Sequence, residues 1–200
     1  MPYKNIIFDF GGVLVDWNPR YVYRDYFENE ADMEHFLKSI CSDEWNLEQD
    51  RGRSMAEGTA ILQNQFPEYH KLIQVFYDRW EDMLKCDIPE NVELLYMLKD
   101  RYSLFGLTNW SAETISVAYA RFPFFSEFKG IIVSGQEKMV KPDRRIFELL
   151  LERYDIRVSD TVFIDDNSKN VAVARELGIT AVHCDSPGGL RDKLKALNLL

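Results

Sequence analysis

The chain has 200 residues, 46% hydrophobic and 28% charged, a globular composition with enough apolar material for a sizeable core. A net charge of −9 argues against non-specific nucleic-acid binding, which draws on basic patches. No window approaches the ~20 apolar residues of a membrane span, and the N-terminus lacks a basic stretch followed by a long apolar run, so neither an anchor nor a secretory signal is expected.

The first predicted strand is NIIFDF, an apolar run that carries Asp9 at its end and is followed at once by Gly11 and Gly12. After it the pattern changes. RYVYRDYF, DMEHFLKSI, SMAEGTAILQNQF and YHKLIQVFYDRWEDML all read as helices, and no strand is expected between Asp16 and Asp87. PENVELLYMLKDR follows as a helix with Pro89 just before its start and Val92, Leu95, Met97 and Leu98 as its apolar positions. Then come the strands YSLFGLTN and GIIVSG. The next helix is PDRRIFELLLERY, with Pro142 at its first position and Ile146, Phe147, Leu150 and Leu151 on one side. Strand TVFIDD, helix SKNVAVARELG, stopped by Gly178, and strand TAVHC complete the chain.

The strand runs are continuously apolar, as suits strands buried on both faces, and their alternation with helices implies a parallel sheet with helical crossovers. The helical block of about 70 residues is too long for a plain crossover. It reads as an inserted α-helical cap over 16–87, leaving 1–15 and 88–200 as an α/β core. The three cysteines, Cys41, Cys86 and Cys184, are far apart and show no metal-type spacing, so a reduced, cytoplasmic protein is expected.

In an open parallel sheet, ligands bind beyond the carboxyl ends of the strands. The first strand delivers Asp9 there, a candidate nucleophile. The second delivers Thr108 and Asn109, a hydroxyl and an amide suited to phosphoryl oxygens. Asp165 and Asp166 end the strand TVFIDD, and neighbouring carboxylates near a third call for a hard cation such as Mg²⁺. Lys141, held at the start of a helix, offers a charge to balance a phosphoryl transition state. Each group alone is more economically a turn, a cap or a helix start; it is the set of four, all at strand ends or a helix start, that resists coincidence.

With these residues in order, the chain resembles the haloacid dehalogenase-like superfamily along essentially its whole length. FDFGGVL looks like the first motif of that family, LTN the second, KPDRRIF the third and FIDDN the fourth. The insertion after the first motif resembles the α-helical cap of the subgroup with dehalogenases, sugar phosphatases and the phosphatase domain of epoxide hydrolases. The resemblance implies a Rossmann-like parallel sheet core with its active site facing the cap. It implies Asp9 as nucleophile and Thr108 and Lys141 as phosphate-holding groups. It also implies Mg²⁺ on the side of Asp9, the Gly11 carbonyl, Asp165 and Asp166.

Gly11 departs from the pattern. Most phosphatases of the family carry a second Asp two residues after the nucleophile, as general acid and then base. Gly11 keeps the carbonyl and lacks the carboxylate. General acid–base catalysis is worth ~10²–10⁴-fold, so another group replaces it, the leaving group is good, or turnover is slow. The same Asp-x-Gly sequence is found in a sugar-phosphatase-like branch associated with glucose 1-phosphate-type substrates, whose anomeric leaving group needs less acid. Asp16 is a candidate substitute, though it reads first as a linker carboxylate.

In the cap, EWNLEQDRGRSMAEG places Gly52 in a polar turn, which in the family faces the active site. Arg51 and Arg53 beside it are candidates for substrate contact, and Trp45 for packing on a sugar ring. Against this stand solvated arginines and a core aromatic. Trp17, Tyr21, Tyr26 and Phe27 are expected to pack the cap or its hinge, and Trp110 to stand near the entrance.

The expected activity is a Mg²⁺-dependent phosphatase of a small phosphorylated metabolite, a sugar phosphate such as glucose 1-phosphate, in a monomer or weak dimer. A 2-haloacid dehalogenase also uses an Asp nucleophile, but in the family it replaces the acidic pair that FIDDN keeps. A receiver domain orders its acid pair before its acceptor and lacks a cap. A catalytically weak, phosphate-binding or regulatory member of the fold is the remaining alternative, separated from an enzyme by a turnover assay.

Overall fold

The computed structural model describes residues 3–200. In chain order it runs β1 (Asn5–Phe8), β2 (Val15–Trp17), α1 (Arg20–Tyr23), α2 (Glu30–Ser39), α3 (Asp43–Asp50), α4 (Met55–Gln65), α5 (His70–Asp78), α6 (Trp80–Met83) and β3 (Leu84–Asp87). It continues with α7 (Pro89–Leu98), β4 (Ser103–Thr108), α8 (Ile115–Arg121), β5 (Gly130–Val133), α9 (Ser134–Glu137), α10 (Arg144–Arg153), β6 (Thr161–Asp165), α11 (Ser168–Glu176), β7 (Thr180–His183) and α12 (Leu190–Ala196).

Five strands form one parallel sheet in the order β5-β4-β1-β6-β7. These are the five runs read from the sequence, and this α/β, Rossmann-like sheet is the expected fold. The chain winds outward from β1 through β4 and β5, then crosses back to β6 and β7. The carboxyl ends of β4, β1 and β6 therefore meet where the winding reverses, the place such sheets keep for ligands. Alternate residues of β1 feed two cores. Ile6 and Phe8 join the larger one, which runs on into the helical insertion, and Ile7 joins the one beneath α10 and α11.

Helices α1–α6 lie between β2 and β3. Their centre is aromatic: Tyr23 packs on Phe36 with ring centroids 5.0 Å apart, and Trp45 meets Phe76 at 5.1 Å. Three helix starts are capped by side chains, Asn29 for α2, Ser42 for α3 and Ser54 for α4.

Four local expectations need correction. No strand was expected between Asp16 and Asp87, yet β2 and β3 pair antiparallel at the base of the insertion. They are three and four residues long, include charged residues, and are stabilised by each other across the whole insertion, so neither has a sequence signature of its own. The last predicted helix of the insertion is broken at Arg79 into α5 and α6. Met97 is exposed on α7, where Leu94 is buried in its place. Pro142 is not the first residue of α10: Asp143 caps that helix, accepting from the Arg145 amide at 3.0 Å, and Pro142 precedes the cap.

Candidate active site

Asp9 follows β1 and is 7% exposed. Its Oδ1 accepts from the Phe10 amide at 2.7 Å and from Lys141 Nζ at 2.9 Å. The loop after it is wound tightly, with the amides of Val13, Leu14 and Val15 all directed at the Phe10 carbonyl. Gly12 turns with φ +70°, and a Cβ there would stand 2.3 Å from Asp166 Oδ2. Glycine is thus required twice at that position, for the left-handed backbone and for the approach of Asp166.

Lys141 is 2% exposed. Its ammonium donates to the Leu107 carbonyl at 2.8 Å and to Asp165 Oδ2 at 2.6 Å, and it also meets Asp9. All three of its N–H groups are therefore committed. Asn109 fixes the backbone of Lys141 from both sides, accepting from its amide at 2.8 Å and donating to its carbonyl at 3.0 Å. Asp165, fully buried, takes the Asn167 amide on Oδ1 at 2.8 Å and the Asn170 side chain on both oxygens. Asn170 escaped the sequence reading. Its only signal is its position five residues beyond Asp165, within the first turn of α11.

Asp9, Asp165 and Asp166 each bring an oxygen within 4.8 Å of the others. Three carboxylates face one ammonium, and the imbalance shows in Asp9 and Asp166. Burial pushes Asp9 well above the usual carboxylate range, with Asp165 and Asp166 adding to the rise and Lys141 opposing it. Burial and Asp165 raise Asp166 likewise. Burial alone would lower Lys141, but Asp9 and Asp165 leave it raised. An all-oxygen set short of positive charge suits a hard divalent cation. Thr108, 1% exposed, ends β4, the strand that pairs with β1.

A cavity of about 130 Å³ abuts the cluster at Gly11 and Asn109. Its walls are Trp17, Tyr77, Trp80 and Trp110, and Asp50 reaches it from the end of α3. The turn after Asp50 rests on the core. Ser134 donates to the Asp50 carbonyl at 2.6 Å, the Met55 amide donates to Glu113 at 2.8 Å, and a Cβ at Gly52, where φ is +105°, would stand 3.1 Å from the Gly135 carbonyl.

The cap residues singled out in the sequence stand elsewhere. Trp45 is 8% exposed, donates its ring N–H to the Gly58 carbonyl at 3.0 Å and does not line the cavity. It belongs to the aromatic centre of the insertion. Arg53 donates to Gln49 at 2.6 Å and to the Trp45 carbonyl at 3.1 Å, and Arg51 pairs with Glu48 at 3.3 Å. Neither arginine lines the cavity. Asp16 accepts from the Tyr21 hydroxyl at 2.6 Å, away from the cavity lining.

The sequence profile of the haloacid dehalogenase-like hydrolases matches residues 6–184. The chain belongs to that family. Among curated proteins it is 26% identical over 192 residues to the sesquiterpene phosphatase astK of Aspergillus oryzae, covering 90% of this chain and 89% of that one. It is 23% identical over 202 residues to the D-ribitol-5-phosphate phosphatase of Bacteroides thetaiotaomicron, covering 97% and 98%. Among solved structures, a haloacid dehalogenase family enzyme from B. thetaiotaomicron in a magnesium complex superposes with a TM-score of 0.72 at 24% identity, over 92% of this chain and 93% of that one. A complex of that enzyme with magnesium and inorganic phosphate gives a TM-score of 0.67, also at 24% identity, over 90% and 93%. The chain is thus a hydrolase of a family that includes phosphatases. Among the described residues no helix is long and apolar enough to cross a membrane.

Proposed function

We propose that this hydrolase is a Mg²⁺-dependent phosphatase of a small phosphate monoester, working through an aspartyl-phosphate on Asp9. The observation that carries the reading is the cluster of Asp9, Asp165 and Asp166 around the single ammonium of Lys141. Asp9 Oδ1 is held by Phe10 and Lys141, which leaves Oδ2 to attack phosphorus. Asp9, the Gly11 carbonyl and Asp166 would hold the cation, with Asp165 behind them orienting Lys141. A bound Mg²⁺ would supply positive charge that keeps Asp9 ionised and offsets the negative charge of the phosphoryl group. Thr108 would donate to a phosphoryl oxygen. Lys141 contributes by its charge and by fixing Asp9, since its N–H groups are already engaged. Water then releases phosphate from Asp9.

The cavity bears on the substrate class. Its aromatic walls suit a leaving group with an apolar face, whether the C–H face of a sugar or polyol or a hydrocarbon chain. Relatives named as a ribitol-phosphate phosphatase and a sesquiterpene phosphatase support both kinds. The test is phosphate release from hexose 1-phosphates, polyol phosphates, prenyl phosphates and an aryl phosphate, with Mg²⁺ and with chelator. Turnover that needs Mg²⁺ and vanishes in Asp9→Asn is expected. No release from any ester by folded, Mg²⁺-supplied protein overturns the reading, and metal-independent halide release from 2-haloacids replaces it with dehalogenation.

A further inference from the structure

The missing acid of the first motif leaves a chemical gap. Expelling an alkoxide from a phosphate ester needs a proton, and Gly11 has none to give. The gap is not imposed by space. A Cβ built on Gly11 meets no heavy atom within 4 Å, so the backbone there admits a side chain. Gly11 instead forms part of the wall of a cavity whose other side comes from the insertion.

We propose that Asp50, presented by the end of α3 across that cavity from Gly11, is the general acid and base of the reaction. Among the described residues, Asp50 is the carboxylate that lines the cavity, and no cation lines it with Asp50. The two arginines nearest in sequence are turned to other partners, Arg51 to Glu48 and Arg53 to Gln49 and the Trp45 carbonyl. The described residues that share the cavity wall with Asp50 are neutral, among them Asn46 of α3, whose amide nitrogen is 3.5 Å from Oδ2, Tyr77 of α5, the indoles of Trp17, Trp80 and Trp110, and Ser111 of the core; Arg53 lies near Tyr77 but outside that wall. The backbone of Asp50 is fixed to the core by Ser134, and the residue lines the same cavity as Gly11 and Asn109.

The environment suits proton transfer. Burial pushes the Asp50 carboxyl up to about 7, with the Ser111 amide opposing the rise. A group that titrates near the working pH is present in both forms, as acid–base exchange requires. In the first step, which rests on the phosphatase reading above, Asp9 Oδ2 bonds to phosphorus and the ester P–O bond breaks. Its electron pair goes to the leaving oxygen, which takes the proton of Asp50. In the second step the Asp50 carboxylate takes a proton from water as the water oxygen bonds to phosphorus. The phosphorus bond to Asp9 then breaks, its pair returns to Asp9, and phosphate leaves. Asp50 ends protonated and Asp9 ionised, as both began. An acid carried by the insertion also confines ester cleavage to the conformation in which the insertion rests on the core.

The experiment compares kcat/KM of wild type and Asp50→Asn on an alkyl phosphate and on 4-nitrophenyl phosphate, whose leaving group departs without a proton. The variant is expected to lose ~10²–10⁴-fold on the alkyl ester and less than ~10-fold on the aryl ester. The wild-type alkyl profile should decline as pH rises through about 7, and that limb should vanish in the variant. Asp50→Glu, or Gly11→Asp added to Asp50→Asn, should restore part of the alkyl activity. The aryl ester serves as the control for folding. Equal losses on both esters, or no loss, overturn the assignment while leaving an Asp9-dependent phosphatase. If wild type shows no Asp9-dependent turnover of either ester, the phosphatase reading fails and takes this assignment with it.

Discussion

At the carboxyl ends of the sheet, a buried lysine pairs with Asp9 and Asp165 and has Asp166 nearby, while no cation among the described residues lines the cavity with Asp50. The first group is compensated by an internal ammonium and by the fixed donors of Asn167 and Asn170. The second is kept tolerable by being able to hold its proton. The difference teaches that one face of the site holds its carboxylates on fixed partners, whose removal costs stability, while the other holds a buried carboxyl with no ionic partner in the cavity wall, whose neutralisation relieves burial. Substitutions should therefore act on them in opposite senses.

The largest expected effect breaks the charged side. Lys141→Met strands Asp9 and Asp165 as buried carboxylates, and removing one partner of a buried ion pair costs about 3–5 kcal/mol. Urea unfolding of the metal-free protein at pH 7 should show that loss, and added Mg²⁺ should reduce it. A loss below about 1 kcal/mol would mean that solvent already compensates the cluster.

The next effect has the opposite sign. Asp50 titrates near 7 when folded and near 4 when unfolded. Between those values the folded chain binds more protons than the unfolded one, so stability declines as pH rises through that window. Asp50→Asn removes the titration. Its unfolding midpoint relative to wild type should rise from pH 4 to pH 7 and stay level above. A variant that is less stable than wild type at pH 8 would place a favourable partner on the carboxylate and remove the contrast.

The same contrast explains what was legible in the sequence. Asp9, Thr108, Lys141 and the acidic pair stand out because each terminates a run of buried, continuously apolar residues, or opens the helix before one. A charge at such a place is conspicuous. Asp50 stands in NLEQDRGR, where most neighbours are polar and a solvated charge is the default. Its enclosure comes from Ser111, Trp110 and Ser134, some sixty to eighty positions along the chain, and no local pattern announces it. Trp45 shows the converse. An aromatic in an amphipathic helix reads equally well as a ligand platform or as core, and only its hydrogen bond to Gly58 and its contact with Phe76 decide for core. The β2–β3 ribbon was invisible for a related reason, since its stabilisation lies wholly in a partner about 70 residues away.

The smallest expected effect separates the position of Asp50 from its chemistry. Ser134 accepts from the Trp110 amide at 2.9 Å and donates to the Asp50 carbonyl at 2.6 Å, so one hydroxyl joins the core loop to the end of α3. Ser134→Ala removes both hydrogen bonds, a net cost of about 1–3 kcal/mol, seen as a fall in Tm of roughly 2–4 °C per kcal/mol for a chain of this size. Ser134 holds the Asp50 backbone and not its carboxyl. The variant keeps the acid but loosens its seat, so alkyl and aryl esters should decline together, by less than ~10-fold. Asp50→Asn keeps the seat and removes the acid, so the two esters should part. If Ser134→Ala instead separates them as Asp50→Asn does, the placement of the carboxyl depends on that single hydroxyl, and the Ser111 amide and Asn46 do not suffice to set it.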